Sequence, residues 1–326
     1  MGASRVALVT GVAGQDGVYL ARELLSRGWR VVGTTRPGDS AVAAMSVYLS
    51  GVEVVSHDLR DASGFEALVG EVRPSRVFNL AGFSSVGASW DHASLVEEVN
   101  GLAVERMLTS LVELRDRHGD DVRFFQAGSA EETGAGASSP YAASKTRARA
   151  AVTVAREAFG LHAVTATLHN HESPLRPQRF VTRKITRAAA SIACGLADSV
   201  SLGNLEVSRD WGAAEDYVQA MVAMLELDAP QDLVIATGVS HTLRDLLDVA
   251  FEAAGLGDPA SYVVQDRALL RPADAPSLVA DTEPARRVLG WSPSLSFEQV
   301  VGHMVRTDLE RLRSGVEESP AYLSPS

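Results

Sequence analysis

Three glycines follow the first apolar segment of the chain at a spacing of three residues. The segment Arg5–Thr10 reads as a buried strand, and Gly11, Gly14 and Gly17 come directly after it. Glycine permits a tight turn and lets the backbone approach a pyrophosphate, whose charge is favoured at the N-terminus of the following helix. This loop therefore predicts a dinucleotide-binding fold, and a plain strand–helix turn is the alternative.

The first half of the chain alternates short apolar strands with helices, which is typical of a parallel sheet covered on both faces. The later predicted strands are Arg30–Thr34, Glu53–Ser56, Arg76–Leu80, Val122–Gln126 and Ala163–Leu168. The predicted helices are Asp16–Ser26, Ser63–Val72, Leu95–Arg117 and Tyr141–Phe159. The predicted fold class is α/β, with a doubly wound parallel (Rossmann) sheet.

The second half is less regular and predicts a smaller C-terminal α+β domain that binds the substrate. Its predicted helices are Thr182–Gly195, Ala213–Leu227, Thr242–Ala254, Glu283–Leu289 and Phe297–Arg313, and its predicted strands are Ser199–Leu202, Leu233–Thr237 and Ser261–Gln265. We expect domains at 1–170 and 171–314, partly interleaved, because a strand near 231–237 would return to the first sheet. Residues 315–326 contain turn formers without periodicity and predict a flexible tail.

Charge and composition exclude several classes of protein. The formal net charge of −11 is a poor match for nucleic acid, whose binding needs clustered positive charge. A single cysteine excludes a disulfide framework and a multi-cysteine zinc site, and no metal site is predicted. No apolar run is long enough to span a membrane and no signal peptide is evident, so we expect a cytoplasmic protein.

Tyr141 and Lys145 stand four residues apart in a predicted helix, so their side chains share one helix face. Lys145 is one of only two lysines among 30 basic residues, and arginine cannot replace lysine where a compact ammonium is needed. An ammonium stabilises a nearby tyrosinate, which can take a proton from a sugar hydroxyl as hydride leaves for a nicotinamide. The alternative is a solvated lysine beside a packed tyrosine.

Arg36 follows the second predicted strand, where the identity of the side chain distinguishes two cofactors. A carboxylate at this place binds the ribose hydroxyls of NAD, whereas an arginine accommodates the 2′-phosphate of NADP. Arg36 therefore favours NADP, with NAD possible, and a solvent-facing arginine is the alternative. Asp58, after the third strand, is placed to meet the adenine, although aspartate there is also a common helix cap.

The glycine loop, the segment Asn79–Gly82 and the Tyr-x-x-x-Lys pair together resemble the extended short-chain dehydrogenase/reductase family. Within that family, the order and spacing of further blocks are most similar to the GDP-mannose 4,6-dehydratase group. Those blocks are Gln126–Glu131, Asn170–Pro174, Phe180–Arg187, Leu202–Leu205, Arg209–Gly212 and Asp216–Val218.

The resemblance implies a nucleotide-sugar 4,6-dehydratase with Ser129, Glu131, Tyr141 and Lys145 as catalytic residues. Glu131 would remove the C5 proton after transient C4 oxidation, and Glu132 is the alternative acid. The implied cofactor-binding residues are Gly11, Gly14, Gln15, Asp16, Gly17, Arg36, Asp58, Leu59, Leu80, Ala81, Ser84, Tyr141, Lys145, Leu168 and His171. The implied substrate-binding residues are Ser85, Asn170, Lys184, Asn204, Arg209, Arg271 and Asp274.

The chain also departs from the family pattern. The link from Glu131 to Tyr141 is short, and the loop after Arg36 lacks the family's second arginine. A different nucleotide sugar therefore stays open, as do an epimerase or reductase, an altered dehydratase of secondary metabolism, and a non-catalytic cofactor-binding sensor. The long helices Leu95–Arg117 and Tyr141–Phe159 often pair across a two-fold axis in such folds, so a homodimer or homotetramer is expected.

Overall fold

The computed structural model describes residues 5–133, 137–266 and 279–325, and its main element is a seven-stranded sheet. All strand pairs in this sheet are parallel, in the order β10-β6-β5-β4-β1-β2-β3. The strands are β1 Val6–Thr10, β2 Arg30–Thr35, β3 Val52–Ser56, β4 Arg76–Asn79, β5 Arg123–Ala127, β6 His162–Leu168 and β10 Leu233–Ile235. The edge strand β10 is the segment that the sequence predicts as a return strand.

Five helices pack apolar side chains on the two faces of the large sheet. The helices are α1 Gln15–Ser26, α2 Ala41–Met45, α3 Ala62–Val72, α4 Ala93–Glu97, α5 Ala103–His118, α6 Pro140–Phe159, α7 Val181–Ala193, α8 Ala214–Glu226, α9 Leu243–Ala253, α10 Glu283–Leu289 and α11 Phe297–Ser314. One core joins α1 and α8 to the sheet, and the other joins α3, α5 and α6 to its opposite face. The predicted α/β doubly wound fold is confirmed.

The second half adds two small sheets and a separate core. The sheets are a three-stranded sheet of β7 Asn170–Glu172, β9 Ser208–Ala213 and β11 Ser240–Thr242, and a parallel pair of β8 Val200–Leu202 and β12 Val263–Gln265. Helices α7, α9 and α11 form the core beneath them. The sequence analysis missed β7, β9 and β11, because two of them are three residues long and carry no periodic signal.

The long helix predicted over Leu95–Arg117 is not α-helical throughout. A π-helical segment, Glu98–Leu102, separates α4 from α5. Within it, Asn100 uses its side chain to accept from Phe83 N at 2.8 Å and to donate to Phe83 O at 3.0 Å. A π-helical bulge re-aims one side chain without ending the helix, and here it fixes the loop after β4.

The segment after α11 was expected to be flexible, but it packs against the rest of the chain. Tyr322 is buried, and Leu323 O accepts from Tyr19 Oη at 2.8 Å. Glu318 accepts from Tyr48 Oη at 2.6 Å and from the buried Arg311 at 3.0 Å. Each contact gives a hydrogen-bond partner to a polar group that would otherwise be buried without one. Within the described residues, no helix has the length and hydropathy that a membrane span requires.

Candidate active site

The glycine loop joins β1 to α1 and leaves a helix N-terminus open. Gly11 has φ of +70°, and a Cβ there would come within 2.9 Å of the Ala81 backbone. A Cβ on Gly17 would lie 2.3 Å from Gly11 O, so helix and loop pack too closely for any side chain. Gly14 precedes α1 and provides no side-chain cap. Uncapped N–H groups and a close backbone approach fit a dinucleotide pyrophosphate.

A chain of buried polar groups links the ends of β1, β4 and β5, and the sequence analysis assigned it no role. Thr10 Oγ1 donates to Asn79 Oδ1 at 2.7 Å and accepts from the N–H groups of Leu80 and Ala81 at 3.1 and 3.0 Å. Asn79 donates to Gln126 Oε1 at 2.9 Å, which links β4 to β5. These bonds fix the backbone of residues 80–81, which the glycine loop contacts at Gly11. Buried amides at successive strand ends are the signal that could have found them.

The Tyr141–Lys145 pair lies at the start of α6, as the spacing predicts. Ser139 caps this helix by accepting from Ala142 N at 3.1 Å. Lys145 is 8% exposed, and its Nζ donates to Ala127 O at 2.8 Å. The same Nζ lies 5.8 Å from the centre of the Tyr141 ring. The end of β5 therefore holds the ammonium beside the tyrosine.

Two adjacent glutamates after β5 have different surroundings. Glu132 Oε1 accepts from Ser129 N at 2.7 Å, and Glu132 Oε2 pairs with Arg149 Nε at 2.7 Å. Within the described residues, Glu131 has no side-chain hydrogen bond or ion pair. Ser129 Oγ accepts from Glu131 N at 3.2 Å, which leaves its O–H free to donate. Glu132 is thus held by the fold, whereas the Glu131 carboxylate is available to a ligand.

His169 is a further ionisable residue at this place, and the sequence analysis did not select it. It follows β6, the neighbour of β5, and is half-buried. Burial lowers the pKa of His169, and the nearby carboxylates of Asp210 and Glu131 oppose that shift. Burial therefore favours the neutral form of His169, and the Glu131 charge acts against this preference.

Gln15 and Asp16 turn their side chains toward the second half of the chain. Gln15 Nε2 donates to His171 O at 3.0 Å, and Ser173 Oγ donates to Gln15 Oε1 at 2.8 Å. Asp16 Oδ2 lies 2.9 Å from His171 Nε2. Burial alone would raise the pKa of Asp16, but the His171 charge and hydrogen bond lower it to about 2. Burial likewise opposes a raised pKa at His171, and Asp16 outweighs it. The pair therefore joins α1 to β7 in its charged form.

The residues expected at the adenosine end of the cofactor meet at one cavity. A cavity of about 580 Å³ is lined by the segment 36–40, by Asp58 and by Arg60. The side chain of Arg36 is 79% exposed. Hydrogen bonds from Arg60 lower the pKa of Asp58 to about 2. Leu59 is buried between the two charged residues.

Of the remaining candidates, Ser84 and Leu168 were assigned to the cofactor and the others to the substrate. Ser84 Oγ accepts from Arg179 at 3.1 Å, and Ser85 Oγ accepts from Ala88 N at 3.2 Å. Lys184 Nζ donates to Ser201 O at 2.6 Å. Two of the other side chains bond to nearby backbone: Asn204 accepts from Glu206 N, and Arg209 donates to Ser208 O. Asn170 lies on β7, and Leu168 is the last residue of β6. Arg271 and Asp274 lie outside the described residues.

Within the described ranges, no three histidine, cysteine or acidic side chains gather as metal ligands.

Comparisons with known proteins agree with this arrangement. Residues 8–304 match the family model described as GDP-mannose 4,6 dehydratase. One relative is GDP-mannose 4,6 dehydratase 2 of Arabidopsis thaliana, which is 39% identical over 94% of this chain and 87% of the relative. Another is human GDP-mannose 4,6 dehydratase, which is 35% identical over 95% of this chain and 92% of the relative. Among solved structures, the dTDP-glucose 4,6-dehydratase of Streptomyces venezuelae, with NAD and TYD bound, has the same fold with a TM-score of 0.77 and 22% sequence identity. The match covers 95% of this chain and 98% of that chain. The resemblance inferred from the sequence is confirmed, and the chain belongs to the GDP-mannose 4,6-dehydratase family.

Proposed function

We propose that this protein is a hydro-lyase that converts GDP-mannose, or a close relative, to its 4-keto-6-deoxy product. The observation that carries the proposal is the Glu131 carboxylate, which has no side-chain hydrogen bond or ion pair within the described residues and lies two positions after Ser129. Simple ketoreduction or C4 epimerisation needs no such acid, whereas water elimination requires removal of the C5 proton. Membership of the family supports the same reaction.

Each proton has a residue to move it. The Tyr141 phenolate takes the proton of the C4 hydroxyl, and the Lys145 ammonium stabilises the phenolate charge. Ser129 Oγ donates a hydrogen bond to the C4 oxygen as it becomes a ketone. That ketone acidifies the C5 proton, which the Glu131 carboxylate removes, and the protonated acid then assists the departure of the C6 hydroxyl as water. When bound, a nicotinamide would supply the hydride chemistry. The Tyr141 hydroxyl would then return at C5 the proton that it took from the C4 hydroxyl, which balances the reduction of the C5–C6 double bond and restores the phenolate.

We propose NADP as the nicotinamide cofactor, with NAD as the alternative. Gly11, Gly14 and Gly17 would hold its pyrophosphate at the start of α1. Arg36 would face the 2′-phosphate, and Asp58 would meet the adenine. Residues 1–170, with the return strand, would form the cofactor-binding unit, and residues 171–314 would bind the nucleotide sugar.

The decisive test is mass spectrometry of GDP-mannose incubated with the purified protein and NADP. Loss of one water from the substrate without net formation of NADPH would support the dehydratase assignment. An isomer of unchanged mass would instead support an epimerase. Tyr141→Phe should abolish turnover and leave cofactor binding intact. Turnover that survives Tyr141→Phe would refute the proposed chemistry, and cofactor binding without turnover of any nucleotide sugar would support the sensor.

We also propose a homodimer formed by α5 and α6. An apolar groove of about 520 Å³ lies between these helices, and Val154 and Phe159 beside it are each 54% exposed. A second copy of the same face, related by a two-fold axis, would cover these side chains in a four-helix contact. Val154→Glu should shift the mass measured by light scattering to that of the monomer, and a dimer that persists would refute this contact.

A further inference from the structure

The cavity at the carboxyl ends of β2 and β3 combines two loops that are distant in sequence. These strands pair in parallel with Thr35 opposite Ser56, so the loops after them leave the same edge of the sheet. One loop carries Arg36 and the other carries Arg60, and both side chains line the cavity. The glycine loop abuts it, because Gly11 N donates to Thr34 O at 2.9 Å. An adenosine moiety extending from the glycine loop would therefore reach this cavity.

The charges around the cavity show that Arg36 is insufficient for a phosphate. Asp39 lies 3.8 Å from Arg36, and Asp58 also lines the cavity. With these two carboxylates, a single arginine would leave the cavity with a net negative charge, which would repel a 2′-phosphate. Arg60 adds a second positive charge and makes the cavity neutral before the phosphate enters. Two guanidinium groups are then available to the incoming anion.

Arg60 keeps donors free despite its pairing with Asp58. Its Nε and Nη2 contact the Asp58 carboxylate, with a shortest distance of 2.6 Å. That pairing occupies two of the five N–H groups of a guanidinium and leaves the Nη1 side free. Within the described residues, no acceptor for Arg60 Nη1 is found. The side chain is 54% exposed, so a ligand in the cavity can reach it.

The backbone of Arg60 is held in place before any ligand binds. Arg60 N donates to Asp58 Oδ1 at 2.9 Å, which forms a turn, and Asp61 caps α3 by accepting from Gly64 N at 2.9 Å. Leu59 is buried beneath this turn. A side chain carried on a fixed backbone loses less conformational entropy when it binds.

We infer that Arg60 is a cofactor-specificity residue, which binds the 2′-phosphate of NADP together with Arg36. This inference rests on the proposed nicotinamide cofactor. The second cation would come from the loop after β3, in place of the family's second arginine after β2. Asp58 would hold the Arg60 guanidinium toward the cavity through its bidentate pair.

The test is equilibrium binding by titration calorimetry, with NADP⁺, NAD⁺ and the fragment probe adenosine 2′,5′-bisphosphate. The variants are Arg60→Ala, Arg60→Lys and Arg36→Ala in the full chain. Arg30→Ala is the matched control, because Arg30 starts β2 at the opposite edge of the sheet and pairs with Glu53 at 2.7 Å. Thermal unfolding of each variant confirms that it is folded.

We expect Arg60→Ala to weaken NADP⁺ and the bisphosphate about ten-fold, as lost charge-assisted hydrogen bonds do, and to leave NAD⁺ within about two-fold. Arg60→Lys should recover part of the loss, and Arg30→Ala should change neither ligand. Equal weakening of NADP⁺ and NAD⁺ by Arg60→Ala would overturn the inference, as would no change in either. Wild-type protein that prefers NAD⁺ would refute the proposed cofactor itself, so the two failures are distinguishable.

Discussion

The same substitution should have opposite effects at Glu131 and Glu132. We consider Glu131→Gln and Glu132→Gln, each of which removes a negative charge and keeps the shape of the side chain. Glu132 is 6% exposed and pairs with Arg149, whereas Glu131 has no side-chain partner among the described residues. Glu132 therefore supports the fold, and Glu131 is the candidate acid.

The cost at Glu132 follows from its partners. Removing one member of a fully buried ion pair costs about 3–5 kcal/mol. Arg149 is 28% exposed and keeps a hydrogen bond to Thr167 Oγ1 at 2.8 Å, so it is not stranded. We therefore expect Glu132→Gln to lower the free energy of unfolding by about 2 kcal/mol, equivalent to about 4 °C in Tm.

Glu131→Gln should leave the free energy of unfolding within about 0.5 kcal/mol of wild type, because no contact is lost. Its turnover of GDP-mannose should fall by at least about 100-fold, the usual contribution of a general acid–base group. Urea unfolding measures the first quantity, and mass-spectrometric detection of water loss measures the second. Normal turnover in Glu131→Gln, with turnover lost in a stably folded Glu132→Gln, would refute the assignment of the acid.

Three further predictions concern stability. The His171 pKa is raised and the Asp16 pKa is lowered, so the Tm advantage of wild type over Asp16→Asn should be greatest between about pH 4 and pH 6.5. This Tm difference should shrink as the pH rises through the pKa of His171, and also as the pH falls toward the pKa of Asp16. A Tm difference that does not depend on pH would argue against the charged pair. Tyr322→Ala should lower the free energy of unfolding by about 3 kcal/mol in urea titrations, because a buried ring is removed, and no change would mean that the tail does not pack. Asn100→Ala should cost about 2 kcal/mol in the same assay, since two hydrogen bonds to Phe83 are lost, and an unchanged midpoint would contradict their role.

Local patterns were sufficient to predict the large sheet and the strands β8 and β12, but not the three-stranded sheet. Strands β1 to β5 of the large sheet are short runs that each precede a helical pattern, and both signals are local. Strands such as β7 and β11 are three residues long, and they exist only because β9 lies between them. Long-range pairing of this kind leaves no trace in a window of the sequence.

The site was predictable where its geometry is local. The four-residue spacing of Tyr141 and Lys145 determines a shared helix face, and the structure places them together. The approach of Arg60 to Arg36 depends on the pairing of β2 with β3, which no local pattern encodes. The distinction between Glu131 and Glu132 depends on Arg149, a residue on the following helix.

The residues that cover helix α1 in the folded protein are synthesised long after α1 itself. The buried side of α1, including Leu20 and Leu24, is covered by α8 and packs in one core with Trp291 and the partly buried Leu323. A nascent chain that ends near residue 170 therefore presents an uncovered apolar helix, a state that is prone to aggregation and to chaperone capture. That exposure lasts until α8, Trp291 and Leu323 have been synthesised and have packed against α1.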